Sequence, residues 1–287
     1  MSARVKVLVT GAAGMLGQEV VRAGEAVGRE VIGLGRGELD VTEVEAVRRC
    51  MDSERPGAVV NCAAYTNVDG AEEDELAFGL NGRAPGVLAA AAAEVGASIL
   101  HLSSDYVFDG RKGEPYVESD ATAPLSAYGE SKLVGEAPAI EANPRHFVVR
   151  SAWLFGLGGP NFVDTMLRLG RERDEVRVVD DQVGSPTFCA DLAEALVALV
   201  ATDDHGLHHV AGGGACSWAA LAAETFALAG VDCRVVPVAS SEMDRPAPRP
   251  AFSALASERA ATPRLRPWQE GLHAYLGTRS RREQVPA

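Results

Sequence analysis

An α/β fold built on a doubly wound parallel sheet is predicted by three features of the chain. A strand-like run passes straight into a glycine turn, strand-like and helix-like segments then alternate to about residue 150, and 47% of the 287 residues are hydrophobic. Strand followed by helix, repeated, sets strands side by side in one direction with helices over both faces. A chain of this length can bury roughly 75% of its unfolded surface, enough for one large domain or two coupled ones.

The first run is Val5-Lys6-Val7-Leu8-Val9-Thr10, apolar enough for a buried strand, and it leads into Gly11-Ala12-Ala13-Gly14-Met15-Leu16-Gly17. Glycine recurs there at every third position. In a Rossmann-like strand-turn-helix unit the first glycine permits the turn, the second lets pyrophosphate approach the backbone, and the third packs helix on strand. The helix amino terminus then faces the phosphates. Gly11, Ala13, Gly14, Met15, Leu16 and Gly17 are therefore the expected dinucleotide contacts. A glycine triplet alone is often no more than a tight turn, but this one has both its strand and its helix.

Further along, Val31–Leu34 reads as a strand, the stretch from Thr42 as a helix, and Val59–Cys62 as the next strand. The alanine-rich Val87–Val95 reads as a helix, Ser98–Leu102 as a strand, the residues around Tyr128 as a helix, and Phe147–Arg150 as a strand. The ligand crevice of such a sheet lies at the carboxyl ends of its strands. Beyond about Gly156 the rhythm changes, with Gly158-Gly159-Pro160, a helix over Asn161–Arg171 and a turn at Gly184-Ser185-Pro186. The proline- and arginine-rich stretch from Pro237 to Pro267 is expected to wrap the surface or line the cleft. The expected division is a dinucleotide-binding domain over residues 1–156, with returning elements near 185–211, and a smaller, interleaved, mainly substrate-binding part over 157–287.

The net charge of −13 makes nucleic acid and anionic membranes poor partners, and neither is expected. Five scattered cysteines, Cys50, Cys62, Cys189, Cys216 and Cys233, lack the close pairs of zinc or redox sites and read as reduced thiols. His205, His208 and His209 lack a supporting carboxylate or cysteine spacing, so a loop and strand start is the reading there. No apolar run approaches the roughly 20 residues of a membrane span, and the first strand begins too early for a secretion signal. A soluble cytoplasmic protein is the expectation.

Chemistry is concentrated in Tyr128-Gly129-Glu130-Ser131-Lys132, which sets a phenol and an ammonium four residues apart on one helix face. At that spacing the lysine charge favours the tyrosinate, lowering a phenol pKa that is ordinarily about 10. Beside a dinucleotide site, such a phenol is an acid awaiting a hydride donor. In isolation a Tyr and a Lys four apart are more often a surface pair.

Four blocks carry a family resemblance: Asn61 to Asp69, Leu102 to Gly110, Tyr128 to Glu136, and Asp180 to Thr187. Through them the chain resembles the dTDP-4-dehydrorhamnose reductases of the extended short-chain dehydrogenase/reductase superfamily, over nearly its whole length. The resemblance implies hydride transfer from NADPH or NADH to the C4 ketone of dTDP-6-deoxy-L-lyxo-4-hexulose, giving dTDP-L-rhamnose. It makes Ser104, Tyr128 and Lys132 the catalytic residues. Ser104 stands where the family usually has threonine, and either hydroxyl can hydrogen-bond the ketone oxygen. Tyr128 delivers the proton, and Lys132 bonds the nicotinamide ribose while holding down the tyrosine pKa. Family members act as monomers or homodimers.

Cofactor choice falls at the end of the second strand, where Arg36 suits a 2′-phosphate and so NADPH. By resemblance Asp40 and Val41 lie beside the adenine, and Ala63, Ala64 and Tyr65 line the cofactor after the third strand; Asp40 alone would read as a helix cap. By resemblance also, Thr66, Val68, Asp69, Ser104, Asp105, Trp153, Asn161 and Arg249 surround the substrate, with an aromatic face for the deoxyhexose and a guanidinium for the diphosphate. Read without the family, Trp153 is core packing, Asn161 a helix cap and Arg249 a surface charge. Some members hold Mg2+ through acidic side chains at positions that Glu19 and Asp191 resemble, but Ala190 replaces a further carboxylate, so no metal site is assigned. A nucleotide-sugar dehydratase is disfavoured because Ser104-Asp105 is followed by Tyr106 rather than a second carboxylate. A reductase or epimerase of another dTDP-deoxyketohexose stays open. So does a non-catalytic dinucleotide-binding subunit like the beta subunit of methionine adenosyltransferase.

Overall fold

The computed structural model describes residues 6–283. In chain order the elements begin β1 (Val7–Thr10), α1 (Met15–Ala26), β2 (Val31–Leu34), α2 (Val44–Glu54), β3 (Ala58–Asn61), α3 (Ala84–Glu94) and β4 (Ser98–Ser104). Then follow α4 (Ala127–Ala142), β5 (His146–Ser151), β6 (Leu154–Phe155), α5 (Phe162–Glu172), β7 (Glu175–Val179), β8 (Val183–Gly184) and β9 (Thr187–Phe188). The chain closes with α6 (Cys189–Leu199), β10 (Gly206–His209), β11 (Cys216–Ser217), α7 (Trp218–Ala229), β12 (Arg234–Val238) and α8 (Trp268–Glu283). Val5, the first residue of the expected opening strand, lies outside the described residues.

Six parallel strands form the central sheet in the order β10-β5-β4-β3-β1-β2. The fold is α/β and doubly wound: the chain leaves β1 for β2 on one side and returns to β3 on the other, which opens a crevice at the carboxyl ends of β1 and β3. Thr10 pairs with both Leu34 and Asn61, so the three strands end level at that crevice.

Both sheet faces are apolar because side chains alternate along each strand. Val7, Val9, Val60, Leu100, Phe147 and Val149 point to one face, where Leu16 and Val20 of α1 meet Leu192 and Leu196 of α6. Leu8, Val59 and Ile99 point to the other, covered by Val47 and Met51 of α2, Leu88 and Ala92 of α3, and Ala139 of α4. The returning elements therefore complete the first layer: α6 packs beside α1, and β10 extends the sheet past β5.

A smaller part built on α5, α7, α8 and the parallel pair β7-β12 has its own cores. Phe155, Phe188, Leu221, Trp268, Leu272 and Tyr275 make one; Met166, Val176, Val178, Ala222 and Phe226 make another. The proline-rich tail joins the two parts, bridging Tyr116 through Leu255 and Val183 through Phe252, so it lines the cleft.

Local boundaries differ from expectation at three places. The helix expected from Thr42 begins at Val44. The helix expected at Val87 begins at Ala84 and follows a π-helical turn over Phe78–Arg83, since Pro85 is tolerated in a first turn that needs no donor. The turn expected at Gly184 is instead the end of β8, paired antiparallel with β11, where a Cβ would lie 2.3 Å from the Trp153 ring.

Candidate active site

The glycine turn is shaped as a cradle. Gly11 has φ +67°, a conformation L side chains rarely adopt, and a Cβ there would meet the Ala63 nitrogen at 2.6 Å. At Gly17 a Cβ would lie 2.2 Å from the Gly11 carbonyl, so β1 and α1 can approach only as glycine. Gly14 heads α1 in extended conformation and no side chain caps the helix, which leaves its first-turn N–H groups for an anion. The Ala13 carbonyl accepts from Gln18 Nε2 at 2.9 Å, Met15 packs near Gly156 and Gly159, and Leu16 belongs to the core. The residues of this cradle fit a dinucleotide pyrophosphate.

Two asparagines fix the neighbouring strand end. Asn61 Oδ1 accepts from Thr10 Oγ1 at 2.7 Å and from the Ala63 N–H at 3.1 Å, so its amide nitrogen donates to His101 Nδ1 at 3.2 Å. Asn81, in the π turn, brackets Tyr65 by accepting from its N–H (2.9 Å) and donating to its carbonyl (3.0 Å), and it donates to Ser131 Oγ of α4 (3.0 Å). Ala63, Ala64 and Tyr65 are thus held between the sheet and the helix that carries Tyr128. Sequence reasoning gave neither asparagine a role. Asn61 had a signal, a polar residue closing an apolar strand, whereas Asn81 had none.

At the end of β2, Arg36 is exposed in a loop closed by Glu38, whose carboxylate accepts from the Gly35 N–H at 2.7 Å. Asp40 accepts from both the N–H and hydroxyl of Thr42, at 2.9 and 2.7 Å, which holds its carboxyl below the usual range and forms the turn that leads into α2. Val41 is buried in the core under α2 and α3. Asp40 therefore does not cap α2, whose N-cap position is Glu43 with no side-chain cap; it shapes the turn ahead of it.

Ser104, Tyr128 and Lys132 converge at the carboxyl end of β4. Ser126 caps α4 by accepting from the Gly129 N–H at 3.2 Å, which starts the helix so that Tyr128 faces the strand end. The Ser104 hydroxyl lies on the Tyr128 side of the strand end, where it favours the ionised phenol. Tyr106 packs edge-on against the Tyr128 ring with centroids 5.5 Å apart. Lys132 is buried and donates to the Leu102 carbonyl at 2.7 Å.

The electrostatics correct one expectation. Burial pushes the Tyr128 phenol up to about 12, with the Ser104 hydroxyl pulling the other way, and Lys132 is not what offsets it. Desolvation outweighs the helical spacing, and the ammonium is spent on a carbonyl. The phenol accordingly keeps its proton at neutral pH, as a proton donor must. Lys132 is itself pushed down by burial to about 8, with Glu136 opposing.

Lys132 therefore sits below its unfolded value of about 10.4. Holding the ammonium in the core lowers stability at pH 7, and that penalty fades as pH rises through about 8 toward 10.4. Lys132→Met is expected to raise the thermal midpoint at pH 7 by several degrees, with a smaller gain near pH 10, while ending turnover. A lower midpoint at pH 7 would show that the lost bond to Leu102 dominates.

On the loop after β3, Asp69 meets Arg249 of the tail as a pair. Arg249 donates to both carboxylate oxygens, at 3.0 and 2.8 Å, and also to the Ala247 carbonyl at 2.7 Å. This binds the tail to the loop after β3 and holds the Asp69 carboxyl below its usual range. Thr66 and Val68 lie on the same loop, Thr66 exposed and Val68 half-buried. Asp105 is buried, and the Ser253 hydroxyl from the tail donates to it at 2.6 Å. Ser253 carried no signal in the sequence.

Trp153 follows β5 with φ 48°, a strained conformation for a bulky residue that the surroundings enforce, at about 1–3 kcal/mol. It stacks on Trp218 with centroids 3.4 Å apart. Asn161 caps α5 by accepting from the Asp164 N–H at 3.0 Å, and its amide donates to the Gly156 carbonyl and the Tyr275 hydroxyl at 3.0 and 3.3 Å. Its cap reading matches these contacts.

Glu19 faces Arg22 at 2.5 Å, and Asp191 receives both arms of Arg266. Among the described residues no group of three or more His, Cys, Asp or Glu is placed to hold a metal ion. His208 and His209 are buried in β10, and all five cysteines are free. No helix among the described residues is long and apolar enough to cross a membrane.

A family model described as the RmlD substrate binding domain matches residues 5–280. The chain belongs to this family. A dTDP-4-dehydrorhamnose reductase of Streptomyces griseus is 48% identical over 280 residues, 94% of this chain and 92% of that protein. The solved structure of a dTDP-4-dehydrorhamnose reductase from Clostridium acetobutylicum shares the fold at a TM-score of 0.93, with 43% identity over 96% of this chain and 99% of that one. That of Bacillus anthracis, in complex with NADP, also superposes at 0.93, with 36% identity over 96% of this chain and all, 100%, of that one. The family expected from the four sequence blocks is thereby the family of the chain.

Proposed function

We propose that this chain reduces the C4 ketone of dTDP-6-deoxy-L-lyxo-4-hexulose, giving dTDP-L-rhamnose, with NADPH as the reductant. The observation that carries the reading is the protonated, half-buried Tyr128 beside Ser104 at the carboxyl end of β4, near a dinucleotide cradle, in a chain whose relatives are dTDP-4-dehydrorhamnose reductases. The cofactor, when bound, supplies the hydride that C4 receives. Gly11, Gly14 and the first turn of α1 would hold its pyrophosphate, Arg36 its 2′-phosphate, and the Ala63–Tyr65 stretch its nicotinamide half.

The chain's own residues supply the proton and the orientation. Tyr128 Oη holds a proton at neutral pH and gives it to the ketone oxygen as negative charge develops there. Ser104 fixes that oxygen beside Tyr128, and Lys132 would hold the nicotinamide ribose. Arg249 and Asp69 bind the sugar nucleotide from the tail and the loop after β3, and Trp153 offers an aromatic face to the deoxyhexose. In this reading residues 1–156, with the returning elements near 185–211, hold the dinucleotide, and residues 157–287 mainly hold the substrate.

The test is loss of NADPH absorbance with the ketosugar nucleotide generated in situ, NADH in parallel, and the product identified by NMR. Formation of dTDP-L-rhamnose, faster with NADPH, is expected. NADPH binding without oxidation would sink the reading.

A further inference from the structure

Asp105 stands between two hydroxyls brought from distant parts of the chain. Ser104 Oγ donates to its Oδ1 at 3.1 Å, and Ser253 Oγ donates to its Oδ2 at 2.6 Å. Ser253 is 1% exposed and Asp105 2%. The tail holds Ser253 firmly, since its backbone N–H donates to the Val183 carbonyl at 2.7 Å. Ser104 Oγ also accepts from the Tyr106 N–H at 3.2 Å and meets the Tyr128 hydroxyl. The other titratable groups facing Asp105 are Tyr106 and Tyr128, with Arg249 beyond Tyr106.

A serine hydroxyl carries one proton. While Asp105 is ionised, Ser104 spends that proton on Oδ1 and has none for a ketone oxygen. When Asp105 is protonated, its proton can sit on either carboxyl oxygen. Ser253 already donates to Oδ2, which leaves Oδ1, the oxygen facing Ser104, to carry it. Asp105 then donates to Ser104, and the Ser104 proton is free to point at the ketone beside Tyr128.

We propose that Ser253 is a positioning residue for the reduction: by donating to one oxygen of Asp105 it directs the acid's proton to the other, and so makes Ser104 a second donor to the C4 oxygen. Asp105 takes up one proton from solvent to reach this state, and within it only hydrogen bonds are redirected. Burial pushes the Asp105 carboxyl up to about 7, so the neutral form is well populated near neutrality. Because the protonated acid is the competent form, turnover falls as pH rises through the Asp105 titration. The inference rests on the reductase reading above.

The experiment uses the full chain with Ser253→Ala, Ser253→Thr and Asp105→Asn. The carboxyl carbon resonance of Asp105 is followed by NMR against pH, and kcat and KM are measured over the same range. Ser253→Ala is expected to move the Asp105 midpoint upward, because the ionised form loses a hydrogen bond, and to lower kcat by roughly 3- to 10-fold with the KM for NADPH unchanged. Ser253→Thr restores both, and Asp105→Asn removes the alkaline limb of kcat. A Ser253→Ala variant with the parent midpoint and kcat overturns the proposal, as does a limb that persists in Asp105→Asn. If the parent chain does not oxidise NADPH with this ketosugar, the reductase reading fails, while the NMR midpoint still decides whether Ser253 sets the protonation of Asp105.

Discussion

Replacing Tyr128 by phenylalanine is expected to lower turnover by about 10²- to 10⁴-fold while leaving NADPH affinity within a factor of about three. The phenylalanine ring keeps the edge-on contact with Tyr106, so what disappears is the hydroxyl alone. With it goes a proton donor at the end of β4 that is held protonated across the neutral range, pushed up to about 12. Ser104 remains to orient the ketone, and its own hydroxyl is too weak an acid to replace a phenol. Steady-state kinetics give the first number and the change in NADPH fluorescence on binding gives the second. Turnover within about threefold of the parent would move the proton donor elsewhere, Asp105 being the nearest carboxyl.

The largest effect on stability is expected about two turns further along α4. Glu136 and Arg150 form an ion pair at 2.7 Å with side chains only 7% and 5% exposed. A second arm of Arg150 reaches Glu136 at 2.9 Å, and Ser103 Oγ adds a third bond at 2.5 Å. Arg150 also lies over the Phe108 ring, 5.2 Å from its centroid, and reaches His209 of β10. Arg150→Ala would leave the Glu136 carboxylate in the core with the Ser103 hydroxyl and the pull of the Lys132 charge in place of a paired guanidinium. Breaking a buried pair in this way costs about 3–5 kcal/mol, a large share of a total stability of roughly 5–15 kcal/mol. A fall of about 6–20 °C in the thermal midpoint at pH 7 should result. The double variant Glu136→Met, Arg150→Met should recover most of it, because two apolar side chains leave no charge unpaired. A single variant that melts within about 2 °C of the parent would show that water reaches Glu136.

Both residues could be read in the sequence, but only one could be read for its role. Tyr128 and Lys132 were legible because helix geometry converts a spacing of four into a shared face, and the glycine turn was legible because strand, turn and helix are adjacent in the chain. Glu136 and Arg150 are fourteen residues apart on different elements, and nothing local says that they meet. The same distance in sequence hid Ser253, which reaches Asp105 across 148 positions, and Asn81, which reaches Ser131 across 50.

The electrostatic error has the same origin. Spacing put the two side chains on one helix face, but the pKa of Tyr128 depends on how much water the fold removes, and that is a property of the packed molecule. The sequence by itself determined the α/β class, the glycine turn that follows the first strand, and the family. All of these depend on short-range periodicity or on contiguous blocks. Only the tertiary structure decided that Asp69 pairs with Arg249, that Asn161 caps α5 while Asp40 shapes the turn ahead of α2, and that the tail lines the crevice and places Ser253 on Asp105. Those contacts join segments far apart in the chain, and their partners are chosen by where the sheet, once closed, brings them together.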